Sequence, residues 1–202
     1  MRYEAVLFDL DGVIRHWDLH FVGTLEERYA VANGALHAAV FEDALLLDVV
    51  TGKISDEQWR QAIEQAVART HNPSIARGVV AEWSQAVGEV DQPMLELVRE
   101  LRRHRRVGLL TNATTRLEAD LQTHGIAEQF DAICNSARLG IAKPDQRAFR
   151  LAAESLGVQP EACVFVDDTP ANVEAAMAIG MAGIHYTGIK ALREEFRVLG
   201  IK

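Results

Sequence analysis

Five short apolar runs limit what this 202-residue chain can fold into more than any other feature of its sequence. Each run is rich in Val, Ile, Leu and Phe and ends in polar or turn-forming residues, as buried strands do. The runs are Ala5–Phe8, 107–110, 131–134, 163–166 and 183–186. Continuous apolar strands of this length are typical of a parallel sheet that is covered on both faces.

Amphipathic patterns between the later runs predict helices over residues 93–103, 115–124, 144–156 and 171–179. Thr115 with Glu118 has the spacing of a capping box, and Pro144 is expected at the first position of its helix. Strands that alternate with helices in this way predict an α/β fold, a doubly wound parallel five-stranded sheet.

The spacing of the strands is uneven, because the first ends near Phe8 and the second begins only near Val107. Nearly everything between them has a helical pattern, and capping boxes are expected at Thr24 with Glu27 and at Ser55 with Gln58. We therefore predict a small all-helical cap domain over residues 15–88. Residues 1–14 and 89–202 would then form a Rossmann-like core.

Composition excludes several classes of protein. The two cysteines rule out a disulfide scaffold and a multi-cysteine zinc site, and both are expected to be buried thiols. No apolar run approaches the roughly 20 residues of a membrane span, and the first residues lack the pattern of a signal peptide, so we expect a cytoplasmic protein. The net charge of −8 argues against a nucleic-acid partner. Monomer and homodimer both stay open.

Polar residues cluster at or just beyond the carboxyl ends of the predicted strands, where open α/β sheets bind their ligands. These residues are Asp9, Asp11, Thr111, Asn112, Lys143, Asp167 and Asp168. If four carboxylates and one lysine converge, their charges sum to −4 + 1 = −3. Such a cluster needs a divalent cation, and an all-oxygen ligand set favours Mg²⁺ over Zn²⁺.

The residue types at these positions suit phosphoryl transfer. Gly12 predicts a turn after Asp11, so that one of the two nearby carboxylates can attack while the other handles protons. Thr111, Asn112 and Lys143 can donate hydrogen bonds or positive charge to a transferring phosphoryl group.

These motifs together resemble the haloacid dehalogenase superfamily, specifically its phosphatase-like members with a helical cap after the first strand. The matching segments are residues 8–14, 110–112, 141–145 and 166–176. The resemblance implies that Asp9 is the nucleophile, that Asp11 is the general acid and base, and that Thr111 and Lys143 are catalytic groups that hold the phosphoryl group. It also implies a sheet order of 5-4-1-2-3.

The resemblance further implies a magnesium site made from Asp9, Asp11, Asp168 and Asp167. One departure matters, because many relatives have Gly where Asp167 stands and Asp where Asn172 stands. Asp168 is therefore the expected ligand, while Asp167 and Asn172 could each bind the metal directly or support another ligand.

The function predicted from these residues is magnesium-dependent hydrolysis of a small phosphorylated metabolite through an aspartyl phosphate. A 2-haloacid dehalogenase is an alternative, although such enzymes lack the second Asp. A sugar-phosphate mutase is another, although its cap carries an Arg soon after a Gly-x-Ser segment, where this chain has Asp56 and only Lys53 as a nearby cation. Non-enzyme alternatives are a phosphoacceptor signalling module and a binding protein.

Substrate choice is expected to depend on the cap. His16 closely follows Asp11 and enters the predicted cap, so we expect it to line the substrate pocket together with Trp17. Trp59 and Trp83 fall at helical spacing within the cap and are expected to form its core.

Overall fold

The structure is a computed structural model and describes residues 3–201 of the chain. The strands are β1 Ala5–Phe8, β2 Arg15–His16, β3 Glu89–Val90, β4 Arg106–Thr111, β5 Ala132–Asn135, β6 Cys163–Asp167 and β7 Ala182–His185. The helices are α1 Phe21–Arg28, α2 Ala35–Val40, α3 Asp43–Val50, α4 Asp56–Ala68, α5 Pro73–Trp83, α6 Gln92–Arg102, α7 Leu117–Thr123, α8 Ser136–Leu139, α9 Gln146–Ser155, α10 Pro170–Met177 and α11 Ile189–Val198.

A parallel five-stranded sheet carries the core, in the order β5-β4-β1-β6-β7. Numbered by chain order within this sheet and read from β7, the order is 5-4-1-2-3, so the predicted topology is confirmed. Every residue of β1 and β6 is buried, as the unbroken apolar runs predicted. Phe8 pairs in register with Leu109 and Val166, which brings the carboxyl ends of β1, β4 and β6 to one edge of the sheet.

Helices cover both faces of this sheet. On one face, Phe8 packs edge-to-face against Phe196 of α11 at 6.4 Å between ring centroids. On the other, Phe149 of α9 makes the same kind of contact with Phe165 of β6 at 5.1 Å. Cys134 and Cys163 are buried thiols, as expected.

Helices α1 to α5 fill most of the chain between the first and second strands of the sheet and share their own buried apolar cluster, which includes Leu25, Leu36, Ile63 and Val79. A short antiparallel ribbon of β2 and β3 joins the two connections to the core. The sequence analysis did not predict this ribbon. The division of the chain into residues 15–88 and the remainder stays a prediction.

Of the expected helix starts, only one has the predicted form. Ser55 and Gln58 do form a capping box at the start of α4. Thr24 instead lies inside α1, and α7 begins after Thr115, which forms no cap. Pro144 also precedes its helix, because Asp145 caps α9 and a cis peptide bond joins Lys143 to Pro144.

Thr115 does not cap α7, because its hydroxyl, like that of Thr114, contacts Asp56 of α4 instead. The Thr115 hydroxyl accepts a hydrogen bond of 3.0 Å from the backbone N–H of Asp56, and the Thr114 hydroxyl donates one of 2.8 Å to the Asp56 carboxylate. Nearby, Gly52 lies so close to α8 that a Cβ on it would come within 2.0 Å of the Ala137 carbonyl oxygen. These contacts seat the cap helices on the core.

Candidate active site

Asp9 follows β1 directly and is almost completely buried, with 7% of its surface exposed. Its backbone N–H donates to Val166 on the neighbouring strand. Its carboxylate accepts a hydrogen bond of 2.8 Å from the backbone N–H of Leu10 and lies 2.8 Å from the Lys143 ammonium. The pKa of Asp9 is raised to about 7, mainly by burial and also by the charge of Asp167, while Lys143 acts in the opposite direction.

Lys143 bridges two carboxylates, because its ammonium also lies 2.6 Å from Asp167. Asp167 is completely buried at the end of β6. It accepts a hydrogen bond from the backbone N–H of Thr169 at 2.8 Å, and the Asn172 amide lies 3.1 Å from both of its oxygens. In this structure the side chain of Asn172 therefore contacts Asp167, which in turn contacts Lys143.

Carboxylate oxygens of Asp9, Asp167 and Asp168 all lie within 4.8 Å of one another, a spacing at which they could share a metal ion. With Lys143 in contact, their charges sum to −3 + 1 = −2, which a divalent cation would neutralise. Carboxylate oxygens also suit Mg²⁺. The donor set and the charge of this cluster therefore fit a magnesium ion.

Gly12 gives Asp168 the space it occupies in this cluster. A Cβ at Gly12 would lie 2.0 Å from an Asp168 carboxylate oxygen, a distance that no real contact allows. Gly12 also has a φ of +85°, a conformation that side chains other than glycine strongly disfavour. Glycine is therefore required at position 12 both by the backbone conformation of the turn and by the space that the Asp168 carboxylate occupies.

Asp11 faces different partners from those of Asp9. Both of its carboxylate oxygens accept hydrogen bonds from the Arg15 guanidinium, at 2.6 and 3.0 Å. The indole N–H of Trp17 donates to one of the same oxygens at 2.8 Å. The side chain of Asp11 is thus fixed by Arg15 and Trp17, whereas Asp9 is held by Lys143.

Arg15 is a site residue that the sequence analysis missed. Its side chain is only 5% exposed, lies 3.4 Å from Asp120 and stacks 4.7 Å from the Trp17 ring centroid. Burial lowers the pKa of Arg15, but the hydrogen bonds and charges of Asp11 and Asp120 outweigh that effect and raise it. The sequence signal was an arginine four residues after Asp11, within a turn that brings the two together.

Thr111 and Asn112 lie at the end of β4. Thr111 is the buried last residue of the strand. The Asn112 side chain exchanges two hydrogen bonds of 2.8 Å with the backbone N–H and C=O of Lys143. The Asn112 amide is therefore engaged with the backbone that carries Lys143, a connection that the sequence did not reveal.

His16 and Lys53 each lie near a carboxylate outside the cluster of Asp9, Asp167 and Asp168. The His16 ring is 3.5 Å from Asp91 and lines a cavity of about 370 Å³ next to β3, and its role in substrate binding stays a prediction. Lys53 is largely exposed and pairs with Asp48 at 2.9 Å.

A larger cavity of about 460 Å³ lies between the cap helices and the carboxyl end of β4. Asp11 and Asn112 form part of its wall on the core side, and Trp17 lies beside them. The expectation that Trp59 and Trp83 belong to the core of the cap is met in part. Their rings pack edge-to-face at 5.2 Å, and both also line this cavity.

Comparison with known proteins places the chain among hydrolases. Residues 3–180 match the sequence pattern of haloacid dehalogenase-like hydrolases. The phosphatase MT3486 of Mycobacterium tuberculosis is 32% identical over 192 residues, which cover 90% of this chain and 86% of that protein. Bifunctional epoxide hydrolase 2 of Sus scrofa is 28% identical over all of this chain, which spans only 40% of that protein's length.

A solved structure shares the fold. The haloacid dehalogenase family enzyme of Bacteroides thetaiotaomicron, in complex with magnesium and inorganic phosphate, gives a TM-score of 0.71 at 18% identity. The match covers 89% of this chain and 92% of that enzyme. Among residues 3–201, no helix combines the length and the apolar character that crossing a membrane requires.

Proposed function

Because the chain belongs to the haloacid dehalogenase-like hydrolase family, we propose that it hydrolyses phosphomonoesters of small metabolites with the help of Mg²⁺, through an aspartyl phosphate on Asp9. The observation that carries this proposal is the cluster at the sheet edge. There the buried Asp9 carboxylate contacts the Lys143 ammonium and shares a possible cation site with Asp167 and Asp168.

In the first half-reaction, a carboxylate oxygen of Asp9 attacks the phosphorus atom, and the bond from phosphorus to the ester oxygen breaks. Asp11, in its protonated form, gives its proton to the departing oxygen, which leaves as an alcohol. Lys143 lies 2.8 Å from Asp9 and would balance the negative charge that builds up on the transferring phosphoryl group.

In the second half-reaction, water attacks the phosphorus atom of the aspartyl phosphate. Asp11, now a carboxylate, takes a proton from that water, and the bond between phosphorus and Asp9 breaks. Inorganic phosphate forms, the Asp9 carboxylate is restored and Asp11 is protonated again. Arg15 and Trp17 would hold Asp11 in one orientation through both half-reactions.

The residues that would hold the metal are Asp9, Asp167 and Asp168. The side chain of Asp11, expected from the sequence as a further metal residue, instead contacts Arg15 and Trp17. Bound at the three other aspartates, Mg²⁺ would offset the net negative charge of the cluster and attract the phosphate oxygens. The Bacteroides thetaiotaomicron enzyme binds magnesium and phosphate, and the Mycobacterium tuberculosis relative is a phosphatase, which is what this proposal expects of a related site.

Two alternatives receive less support from the geometry. A dehalogenase has no need of the second carboxylate that Arg15 and Trp17 hold in place. For a sugar-phosphate mutase, Lys53 was the nearby cation, but it pairs with Asp48 on the exposed surface of the cap.

The test is turnover of p-nitrophenyl phosphate by the purified chain, with added Mg²⁺ and with excess chelator. We expect phosphate release that depends on Mg²⁺ and that Ca²⁺ inhibits, because the larger, looser shell of Ca²⁺ misplaces the attacking carboxylate. Chloride release from 2-chloropropionate is measured in parallel. Full phosphate release in the presence of chelator, or chloride release without phosphate release, would overturn the proposal.

A further inference from the structure

The 460 Å³ cavity beside Asp11 points to the kind of alcohol that the proposed hydrolysis releases. Resting on that proposed function, we infer that the substrate is the phosphate ester of an uncharged, largely apolar alcohol, whose hydrocarbon part lies in this cavity during the reaction.

The position of the cavity supports this inference. The wall of the cavity includes Asp11, the group proposed to protonate the departing oxygen, and Asn112, next to Thr111 at the end of β4. An ester whose phosphate lies against Asp9 would therefore direct its leaving group past Asp11 into this cavity.

The side chains that line the cavity also favour an apolar alcohol. Much of the wall is formed by aromatic and aliphatic side chains from the cap and from α7. They include Trp17, Phe21, Val50, Trp59, Trp83 and Leu117. A surface of this kind gains free energy by removing hydrocarbon from water.

The charges along the cavity wall favour an uncharged alcohol. The arginines that line the cavity within residues 3–201 each have a carboxylate partner. The pairs are Arg15 with Asp11 at 2.6 Å, Arg60 with Asp56 at 2.6 Å and Arg116 with Asp120 at 3.0 Å. Asp18 adds a further negative charge to the wall. A second phosphate or a carboxylate on the substrate would thus find no cation free of an existing pair among these arginines.

Volume sets an upper limit on the alcohol. If each non-hydrogen atom of the alcohol occupies ~30 Å³, as a water molecule does in the liquid, a cavity of about 460 Å³ has room for roughly 15 non-hydrogen atoms. A linear or cyclic alcohol of medium chain length fits, whereas a short alcohol would leave most of the apolar wall exposed to water.

The first experiment measures binding without turnover. Trp17, Trp59 and Trp83 are all the tryptophans of the chain, and each lines the cavity, so intrinsic fluorescence reports on its occupant. Titration of the Asp9→Asn variant with 1-decanol should give a saturable change in fluorescence. Glycerol at the same concentrations should give none.

Neighbouring leucines on α3 provide matched variants for this titration. Leu46 lines the cavity, whereas Leu47 is 52% exposed and does not. Leu46→Gln should weaken decanol binding several-fold, and Leu47→Gln should leave it unchanged. Circular dichroism and thermal unfolding show whether both variants keep the fold.

The second experiment compares kcat/KM for ethyl, butyl, hexyl, octyl and decyl phosphate with that for a hexose 6-phosphate. We expect a rise of about fourfold for each added methylene until the cavity is filled, since burial of hydrocarbon contributes steadily with area. Leu46→Gln should flatten this rise, and Leu47→Gln should preserve it.

The outcomes separate this inference from the proposed function. Turnover of aryl phosphate without a chain-length dependence, or with the hexose phosphate preferred, would overturn the inference and leave the phosphatase proposal standing. Decanol binding without release of phosphate from any ester would overturn the proposed function, and with it the role of the cavity as a site for the leaving group.

Discussion

The side chain of Asn112 forms two hydrogen bonds of 2.8 Å with the backbone of Lys143: its amide N–H donates to the carbonyl oxygen, and its amide oxygen accepts from the backbone N–H. The segment that follows β4 is thereby joined to the segment between α8 and α9, at the residue whose ammonium group contacts Asp9 and Asp167. We therefore expect Asn112 to act as a positioning residue, because its side chain bonds to the backbone that carries Lys143.

Asn112→Ala should lower kcat by on the order of 10- to 100-fold, since small displacements of a catalytic group cost that much. Asn135→Ala is the matched control. Asn135 also lies at the end of a strand, where it is buried, but it bonds to Thr114 and Ala137 rather than to Lys143. We expect both variants to lose thermal stability and only Asn112→Ala to lose kcat. Equal kcat in the two variants would remove the positioning role.

Gly12→Ala should abolish most of the activity, because the new methyl group would occupy the place of the Asp168 carboxylate. Gly125 provides the control, since it has a φ of +65° but open space around its Cβ position. Both substitutions should cost about 1–2 kcal/mol of unfolding free energy from backbone strain. Mg²⁺ titration followed by turnover should show weakened metal dependence for Gly12→Ala alone.

Asp9→Asn should lower turnover by at least about 10⁴-fold, as loss of a nucleophile does. Without metal, its stability should have a distinctive pH dependence. Because the pKa of Asp9 is raised to about 7 in the folded protein, the unfolded chain releases this proton at lower pH, and the wild type loses stability as pH rises from about 4 to about 7. Asn carries no such proton.

Thermal unfolding in chelator should therefore show Asp9→Asn as stable as the wild type, or more so, at pH 8, with this advantage shrinking towards pH 4. Clear destabilisation of the variant at pH 8 would mean that the Asp9 carboxylate stabilises the metal-free fold, contrary to the direction of its pKa.

Asp11→Asn should separate the two half-reactions. An aryl phosphate has a good leaving group that hardly needs an acid, so the variant should still phosphorylate Asp9 but stall before hydrolysis. We expect a burst of at most one nitrophenolate per site and a phosphate adduct in the intact mass. An alkyl phosphate should give no burst. Steady, undiminished turnover would reopen the dehalogenase hypothesis.

Arg15→Met should destabilise the fold by about 3 kcal/mol, because it breaks a largely buried ion pair and leaves Asp11 and Asp120 with less compensation. Arg147→Met is the control, since Arg147 pairs with Asp145 on the exposed surface. Chemical denaturation should show little change for that control. If the two variants lost the same stability, the Arg15 pair would be no more than a surface contact.

The sheet could be predicted closely because its signal is local. Each strand is a continuous apolar run, and the polar residues that follow β1, β4 and β6 had to meet once the parallel order was inferred. The insertion of helices after β1 follows from spacing along the chain, whereas the strand order was implied by the resemblance to the haloacid dehalogenase superfamily.

The missed features depend on contacts between distant segments. Thr115 is a residue type that commonly caps helices, but its hydroxyl accepts a hydrogen bond from the backbone N–H of Asp56 instead. The pairing of β2 with β3 involves only two residues on each strand, too few for a periodic signal. The partner of Asn112 is the backbone of Lys143, 31 residues away, which sequence spacing does not encode, whereas Arg15 was missed although it lies only four residues after Asp11.

The seating of the cap on the core has a kinetic consequence. Asp56 of α4 bonds to Thr114 and Thr115, and Gly52 lies close to Ala137 of α8, while Asp56 and Thr114 also line the 460 Å³ cavity in which the alcohol is proposed to lie. If product leaves by cap opening, these contacts break and re-form once in every catalytic cycle. Their strength then limits the rate of product release, and a cap that bound the core more tightly would slow the enzyme even with perfect chemistry at Asp9.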